Sequence, residues 1–106
     1  MIISLLELAK IYIRLDEPNS ALKIYEKALQ KYPEEISFLL SSGRVYDSLN
    51  KDLMALDCYK KVLLFESCNF EAVACIATHH FYLDQPEVAL RFYKRLVQLG
   101  VNSAEI

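Results

Sequence analysis

The segment Ala-Leu-x-x-Tyr occurs three times in this chain, beginning at Ala21, Ala55 and Ala89. Each copy follows the previous one after 34 residues, and a fixed period of this length is typical of stacked helical repeats. In such folds a single repeat cannot bury its apolar surface alone, so neighbouring repeats cover one another. The spacing therefore predicts an all-α fold, a right-handed superhelical array (an α-solenoid) of three helix-turn-helix repeats with a period of 34 residues.

The residues on either side of the first turn predict a hairpin of two amphipathic helices. Apolar residues recur there at three- and four-residue steps, and a turn that contains Asp16 and Pro18 interrupts them. We expect Asp16 to cap the second helix and Pro18 to occupy its first turn, where a missing N–H group costs nothing. The predicted helices are residues 2–14 and 17–31. The predicted repeats of a single array over residues 1–106 are residues 2–35, 36–69 and 70–103.

Small and aromatic residues at fixed places in each repeat are expected to pack the helices together. Two helices that cross closely leave room only for Ala or Gly at the crossing point, whereas an aromatic ring fills the wider gap to the next hairpin. The predicted packing residues are Ala9, Tyr12, Ala21, Tyr25, Gly43, Tyr46, Ala55, Tyr59, Ala77, His80, Ala89 and Tyr93.

This pattern resembles the tetratricopeptide repeat, a 34-residue helical hairpin with Leu, Gly, Tyr, Ala, Phe and Pro at fixed places. The first repeat matches it at Leu5, Leu8, Ala9, Tyr12, Ala21, Tyr25, Ala28 and Pro33. The later repeats depart from it, because Ser42 stands at an apolar position, Ser67 replaces the proline and His80 replaces a tyrosine. The resemblance implies a scaffold that binds other proteins and has no enzymatic activity.

The third repeat carries a more distinctive sequence, His-Phe-Tyr-x-Asp-Gln-Pro-Glu-x-Ala-Leu-Arg-Phe-Tyr, which begins at His80. It resembles the Bardet–Biedl syndrome protein 8 family, whose members are tetratricopeptide subunits of the BBSome. That resemblance implies trafficking of membrane proteins to and from the cilium, with the other subunits as partners. It also implies a location in the cytoplasm, at the ciliary base or basal body, and at the ciliary membrane.

Both ends of the chain carry apolar residues without a polar helix to cover them. Ile2 and Ile3 follow Met1 at the start of the chain, and Val97 and Val101 lie near its end. Gly100 with Asn102 predicts a left-handed stop for the last helix. Repeat arrays normally finish in a helix with a polar outer face, and members of the resembled family are several times longer. We therefore expect a fragment of a longer repeat protein that associates with itself through its uncapped ends.

The first helices of the repeats are expected to line a concave groove that binds a partner. The exposed positions of those helices are Leu6, Lys10, Ile13, Arg14, Leu40, Arg44, Asp47, Cys75, Thr78 and Tyr82. Lys10 and Arg44 recur at one groove position and are suited to receive an acidic peptide. An alternative is therefore a generic peptide-binding adaptor, like a co-chaperone. However, the Asn and Lys residues that clamp chaperone tails in this family are replaced by Leu, Ser, Glu71 and Cys75.

Charge and motifs argue against several other classes of function. Twelve basic and fourteen acidic residues give a net charge of −2 with the signs mixed, which disfavours a nucleic-acid partner. The chain has no Gly-rich phosphate loop and no HExxH motif, so we expect neither an enzyme nor a cofactor. The apolar start lacks a basic segment, and we expect no signal peptide and no direct membrane insertion.

A metal or thiol site at Cys68, Cys75 and His79 is the remaining alternative. Cys75 and His79 are four residues apart and would share a helix face. Structural zinc usually needs paired short spacings from two elements, which the chain lacks. The three cysteines have no CxxC spacing, and we expect them to be reduced.

Overall fold

The computed structural model describes the backbone of residues 1–104 and the side-chain surroundings of residues 1–100. Its helices are α1 (Ile2–Arg14), α2 (Pro18–Lys31), α3 (Ile36–Ser48), α4 (Asp52–Phe65), α5 (Phe70–Tyr82) and α6 (Pro86–Ala104). The first helices of the three hairpins begin at residues 2, 36 and 70, and the second helices begin at residues 18, 52 and 86. The period of the sequence is therefore the period of the helices, and the prediction of an all-α helical-repeat fold is confirmed.

Each hairpin turn is closed by the same backbone hydrogen bonds. After α1, Asp16 adopts a left-handed conformation with a φ of 62°. Its N–H donates to the carbonyl of Ile13 at 3.1 Å, and the N–H of Glu17 donates to the carbonyl of Tyr12 at 2.8 Å. These two bonds form a Schellman motif, which satisfies carbonyl groups at the helix end. The equivalent left-handed residues after α3 and α5 are Asn50 and Asp84.

This geometry corrects the expected role of Asp16. The N-cap residue of α2 is Glu17, and its side chain makes no capping hydrogen bond, so the prediction that Asp16 caps α2 is wrong. Asp and Asn are the residues other than glycine that most readily adopt a positive φ. That tolerance explains why they stand at the three left-handed positions.

The predicted stop at Gly100 and Asn102 is also wrong. Helix α6 continues to Ala104, and the described glycines have no positive φ. One glycine inside a helix costs only about 1 kcal/mol relative to alanine, which is too little to end a helix that its other residues favour. Although α6 has 19 residues, none of the described helices has the length and apolar character that crossing a membrane requires.

Internal contacts divide the chain into two compact units, Met1–Cys58 and Tyr59–Ile106. In the first unit, α1 packs on α2, and α2 packs on α3. The centre of that unit is a buried cluster of Ala9, Ala21, Tyr25, Ala28, Phe38 and Val45. The Tyr25 and Phe38 rings lie 6.4 Å apart. Because Ala9 and Ala21 are fully buried, a larger side chain at either position would push the helices apart.

In the second unit, α5 packs on α6. The imidazole of His80 stacks on the Phe92 ring at 5.9 Å, and its Nδ1–H donates to Oε1 of Gln85 at 2.7 Å. His80 therefore links the end of α5 to the start of α6. At the other end of α5, the Asn69 side chain accepts a hydrogen bond from the N–H of Ala72 at 2.9 Å and caps the helix.

Candidate partner-binding groove

Three helices of the first unit line an open pocket of about 290 Å³, which we call the Lys10–Arg44 pocket. It is lined by Lys10, Ile13, Tyr25, Ser41, Arg44, Val45 and Ser48. The α3 residues among them stand at helical spacings of three, four and seven, so they share one face of the helix. Lys10 and Ile13 lie one turn apart on α1, and Tyr25 comes from α2.

The floor of the pocket carries a buried phenol. Burial raises the pKa of Tyr25 above its ordinary value of 10.0, while a hydrogen bond with Ser41 and the positive charges of Lys10 and Arg44 act in the opposite direction. The phenol is therefore neutral at physiological pH. Its hydrogen bond with Ser41 joins α2 to α3.

Two cationic side chains belong to the same pocket. Lys10 and Arg44 are both exposed, and both charges are felt at the Tyr25 hydroxyl. The Lys10 ammonium lies 3.2 Å from a carboxylate oxygen of Glu7, and both side chains are about two-thirds exposed. A solvated pair of this kind contributes little to stability. Lys10 can therefore exchange Glu7 for an anionic ligand at small cost.

The remaining lining of the pocket is apolar or only weakly polar. Ile13 is partly exposed and Val45 is buried, and both supply hydrocarbon surface. The hydroxyl of Ser48 donates to the carbonyl of Val45 at 2.7 Å, so its proton is used within the helix. Cations beside hydrocarbon and a neutral phenol are chemically suited to contact a carboxylate carried on a short aliphatic stem, such as a Glu or Asp side chain.

Three of the predicted groove residues, Lys10, Ile13 and Arg44, come together in this pocket. Four others lie outside its lining: Leu6, Arg14, Leu40 and Asp47. Leu6 packs against the buried cluster of the first unit, so it supports the interior. Arg14 is exposed, and Leu40 and Asp47 are half-buried.

The last three predicted groove residues, Cys75, Thr78 and Tyr82, lie on α5 in the second unit. Cys75 is half-buried, whereas Thr78 and Tyr82 are exposed. The Thr78 hydroxyl donates to the carbonyl of Ala74 at 2.9 Å and accepts a hydrogen bond from the Tyr93 hydroxyl at 3.2 Å. Thr78 stands at the repeat position of Lys10 and Arg44 but supplies no charge.

The structure places the predicted packing residues at three levels of exposure. The buried ones are Ala9, Ala21, Tyr25, Gly43, Ala55, Tyr59, Ala77 and Ala89. The half-buried ones are Tyr12, Tyr46 and His80. Tyr93 is exposed, with 38% of its surface accessible.

Ser41 and Ser48 were not predicted as lining residues, and Tyr25 was assigned to packing alone. A signal for the serines was present, because residues 41, 44 and 48 follow the spacing of one helix face. No comparable signal marked the Tyr25 hydroxyl, because its polar role depends on which helix lies opposite.

The residues of the metal alternative do not come together as a ligand set. Cys68 is exposed, and its sulfur lies 4.0 Å from the hydroxyl of the adjacent Ser67. The His79 ring lies 6.3 Å from the Tyr59 ring. Among the described residues, no convergent group of possible metal donors contains Cys68 or Cys75. The geometry gives this alternative no support.

Comparisons with known proteins show which family and which solved structures this chain resembles. Residues 4–45 match the family model described as tetratricopeptide repeat. The fold is also that of the crystal structure of MamA, with a TM-score of 0.87 and 18% identity over 93% of this chain and 58% of that chain. The first tetratricopeptide domain of Spaghetti (RPAP3), bound to the HSP90 peptide SRMEEVD, has a TM-score of 0.81 and 20% identity over 94% and 79% of the two chains. Residues 4–45 thus match the tetratricopeptide repeat in sequence, and the described helices share the fold of solved tetratricopeptide-repeat structures.

Two curated relatives show a closer resemblance, to one particular kind of tetratricopeptide protein. The chain is 42% identical to tetratricopeptide repeat protein 8 of Caenorhabditis elegans over 99 residues, which is 93% of this chain and 20% of that protein. It is 45% identical to tetratricopeptide repeat protein 8 of Mus musculus over 90 residues, 85% of this chain and 18% of that protein. The resemblance to the Bardet–Biedl syndrome protein 8 family is confirmed. The chain spans about a fifth of the length of these relatives.

Proposed function

We propose that this chain is a non-enzymatic interaction module of a BBSome subunit that takes part in trafficking membrane proteins to and from the cilium. The observation that carries the proposal is the 42% identity with tetratricopeptide repeat protein 8 over 93% of the chain. The likeness extends over nearly all of the chain and includes the third repeat, whose sequence is not demanded by the general repeat pattern.

The proposed partners are the other protein subunits of a BBSome-like complex. The proposed location is the cytoplasm, the ciliary base or basal body, and the ciliary membrane. The near balance of acidic and basic residues supports a protein partner rather than a nucleic acid, because nucleic-acid binding draws mainly on clustered cations.

Co-purification from ciliated cells tests this assignment. The full chain, tagged and expressed at low level, is expected to recover BBSome subunits that mass spectrometry identifies by name. The matched control is the variant Tyr59→Ala with Val73→Ala, which removes two buried side chains of the second unit and should lose that recovery with its fold. Recovery of no BBSome subunit by the folded wild-type chain would contradict the proposal.

A second candidate function, a peptide-binding adaptor, is favoured by the Lys10–Arg44 pocket. Two cations beside an apolar wall suit an acidic side chain, and charge-assisted hydrogen bonds are stronger than neutral ones. The peptide bound to the Spaghetti domain contains adjacent glutamates, which makes an acidic segment a reasonable ligand to test here.

Titration with labelled peptides separates the two candidates. An adaptor should bind an acidic peptide and should bind the same peptide with Gln in place of Glu about tenfold more weakly, since a charged hydrogen bond contributes about 1.5–3 kcal/mol. Arg44→Gln should weaken binding by a similar factor. Lys23→Gln, which removes an exposed charge of α2 outside the pocket, should leave it unchanged. Equal binding of both peptides would remove the adaptor as a candidate.

A further inference from the structure

The polar groups that line the Lys10–Arg44 pocket are chiefly hydrogen-bond donors. The Lys10 ammonium and the Arg44 guanidinium only donate hydrogen bonds and cannot accept them. Among the described residues that line the pocket, none is an Asp or a Glu. The pocket therefore favours a ligand that is negatively charged and rich in acceptor oxygens.

Tyr25 and Ser41 add a neutral donor to the two cations. Their hydroxyl groups are joined by a hydrogen bond, and that bond uses one of the two O–H protons. Tyr25 is 2% exposed, whereas Ser41 is half-buried. Since Ser41 is the more exposed of the two, its hydroxyl is the one that can donate the second proton to a ligand in the pocket.

These donors reach the pocket from more than one helix. Lys10 stands on α1, whereas Ser41 and Arg44 stand one turn apart on α3. A carboxylate offers two oxygens in one plane, but a phosphate monoester offers three strong acceptor oxygens in a tetrahedral arrangement. A phosphate can therefore accept from all three side chains together. Ile13 and Val45 supply hydrocarbon for the short stem that carries it.

Glu7 competes with any such ligand for Lys10. Its carboxylate lies 3.2 Å from the Lys10 ammonium, and both side chains are well exposed, so the pair is weak. A phosphate carries a charge of about −1.5 to −2 at pH 7, which attracts the ammonium more strongly than one carboxylate does. The competition therefore weakens the binding of a carboxylate ligand more than that of a phosphate.

We propose that the Lys10–Arg44 pocket binds a phosphoserine or phosphothreonine side chain of a partner protein. The proposal rests on the second candidate function, the peptide-binding adaptor, and narrows its ligand from an acidic side chain to a phosphorylated one. Binding of the partner would then be controlled by a kinase that acts on the partner, with no change in this chain.

Titration of the full chain with three capped peptides, followed by amide NMR, tests the proposal. The peptides share the sequence Gly-Val-X-Val-Gly, in which X is phosphoserine, glutamate or serine. The phosphoserine peptide should bind about tenfold more tightly than the glutamate peptide, because it adds charge and an acceptor oxygen. It should shift the amide signals of Lys10, Ser41 and Arg44, and the serine peptide should shift none of them.

Variants at the pocket identify the groups that hold the phosphate. Arg44→Gln should weaken binding of the phosphoserine peptide about tenfold or more. Glu7→Gln should strengthen it, because no carboxylate then competes for Lys10. Ser41→Ala should reduce the preference for phosphoserine over glutamate. The matched control is Lys23→Gln, which removes an exposed charge outside the pocket. Circular dichroism checks that each variant is folded, and Lys10→Gln replaces Arg44→Gln if that variant is not.

The outcomes separate this proposal from the adaptor function on which it rests. Equal or tighter binding of the glutamate peptide would overturn the phosphate proposal and leave the adaptor standing. Binding of neither acidic peptide would remove both. Inorganic phosphate is the remaining probe, and binding of phosphate alone as tightly as the phosphoserine peptide would mean an adventitious anion only. A phosphoserine preference that Arg44→Gln leaves intact would also overturn the proposal.

Discussion

Tyr25 and Tyr93 are the same residue at the same place in the repeat, and their surroundings differ. Tyr25 is buried, its hydroxyl bonds to Ser41 of the following helix, and two cations stand near it. Tyr93 is exposed, and its hydroxyl bonds to Thr78 of the preceding helix. The contrast shows that a repeat does not determine the environment of its own tyrosine, because the helix that comes next decides it.

Other features do not change between the two hairpins. Ala21 and Ala89 are both buried at the helix crossing, and Asp16 and Asp84 both hold the left-handed position of the turn. The small residue at the helix crossing and the left-handed turn residue are thus repeated in both hairpins, whereas the surroundings of the tyrosine are not. Paired substitutions in the first and third hairpins can test that division.

The largest difference is expected when each tyrosine is truncated. Tyr25→Ala should lower the free energy of unfolding by about 3–5 kcal/mol, as for other buried aromatic residues. Tyr93→Ala should cost less than Tyr25→Ala, because 38% of Tyr93 is already accessible to water. Urea unfolding of both variants measures the two losses. Equal losses would mean that the α6 face is covered in solution.

A second pair of substitutions should show no difference between the hairpins. Ala21→Leu and Ala89→Leu each insert three carbon atoms at a closed helix crossing, and each should cost about 1–3 kcal/mol through overpacking. Thermal unfolding of the two variants provides the comparison. A much smaller loss of stability at Ala89 would contradict the claim that the two helices cross equally closely in both hairpins. Ala74→Leu, at a half-buried position of α5, serves as the control.

Removal of the Tyr25 hydroxyl should have a smaller, pH-dependent effect. Tyr25→Phe loses the bond to Ser41, which contributes about 0.5–1.5 kcal/mol near neutral pH. Burial raises the pKa of Tyr25 above 10.0, so the folded state holds the phenol proton more tightly than the unfolded state. The resulting stabilisation is complete below pH 10 and is lost as the pH rises through the folded pKa.

The free energy of unfolding of wild type and Tyr25→Phe, measured between pH 8 and pH 11, checks the sign. The wild-type protein should lose its greater free energy of unfolding above about pH 10, which is near the ordinary pKa of tyrosine. A constant difference over the whole range would show that the hydroxyl is not buried. Tyr82→Phe, at an exposed residue, is the matched control.

The smallest effect is expected at the left-handed turn residues. Asp16→Gly and Asp84→Gly relieve the steric cost of a positive φ but add freedom to the unfolded chain. The net change should be a few tenths of a kcal/mol and should have the same sign in both hairpins, as measured by urea unfolding. Changes of opposite sign would mean that different interactions stabilise the two turns.

The helix positions were predictable because they follow from local pattern. The period from Ala21 to Ala89, together with the proline turn, places helix ends within about a residue of those observed for the first hairpin. The roles of Asp16 and Gly100 were not predictable from residue type. Aspartate serves both as a cap and as a left-handed residue, and glycine is compatible with both a helix stop and a helix interior.

The candidate site was predictable only in part. Lys10 and Arg44 were found because charge on an exposed helix face is visible in the sequence. The phenol of Tyr25 was not found, because its role depends on the approach of Ser41 from another helix. The exposure of Tyr93 was missed for a related reason, since its residue type and register match those of two buried tyrosines.

The spacing of Ala21 and Tyr25 within α2 has a consequence for insertions and deletions. Each residue added to a helix rotates the residues after it by about 100°. One residue inserted between Ala21 and Tyr25 would therefore turn one of these two buried residues away from the interior. A residue added at Glu17 lies before α2 begins at Pro18, so it leaves the buried face of α2 unchanged. Related sequences should accordingly vary in length at the turns and not between the buried residues of a helix.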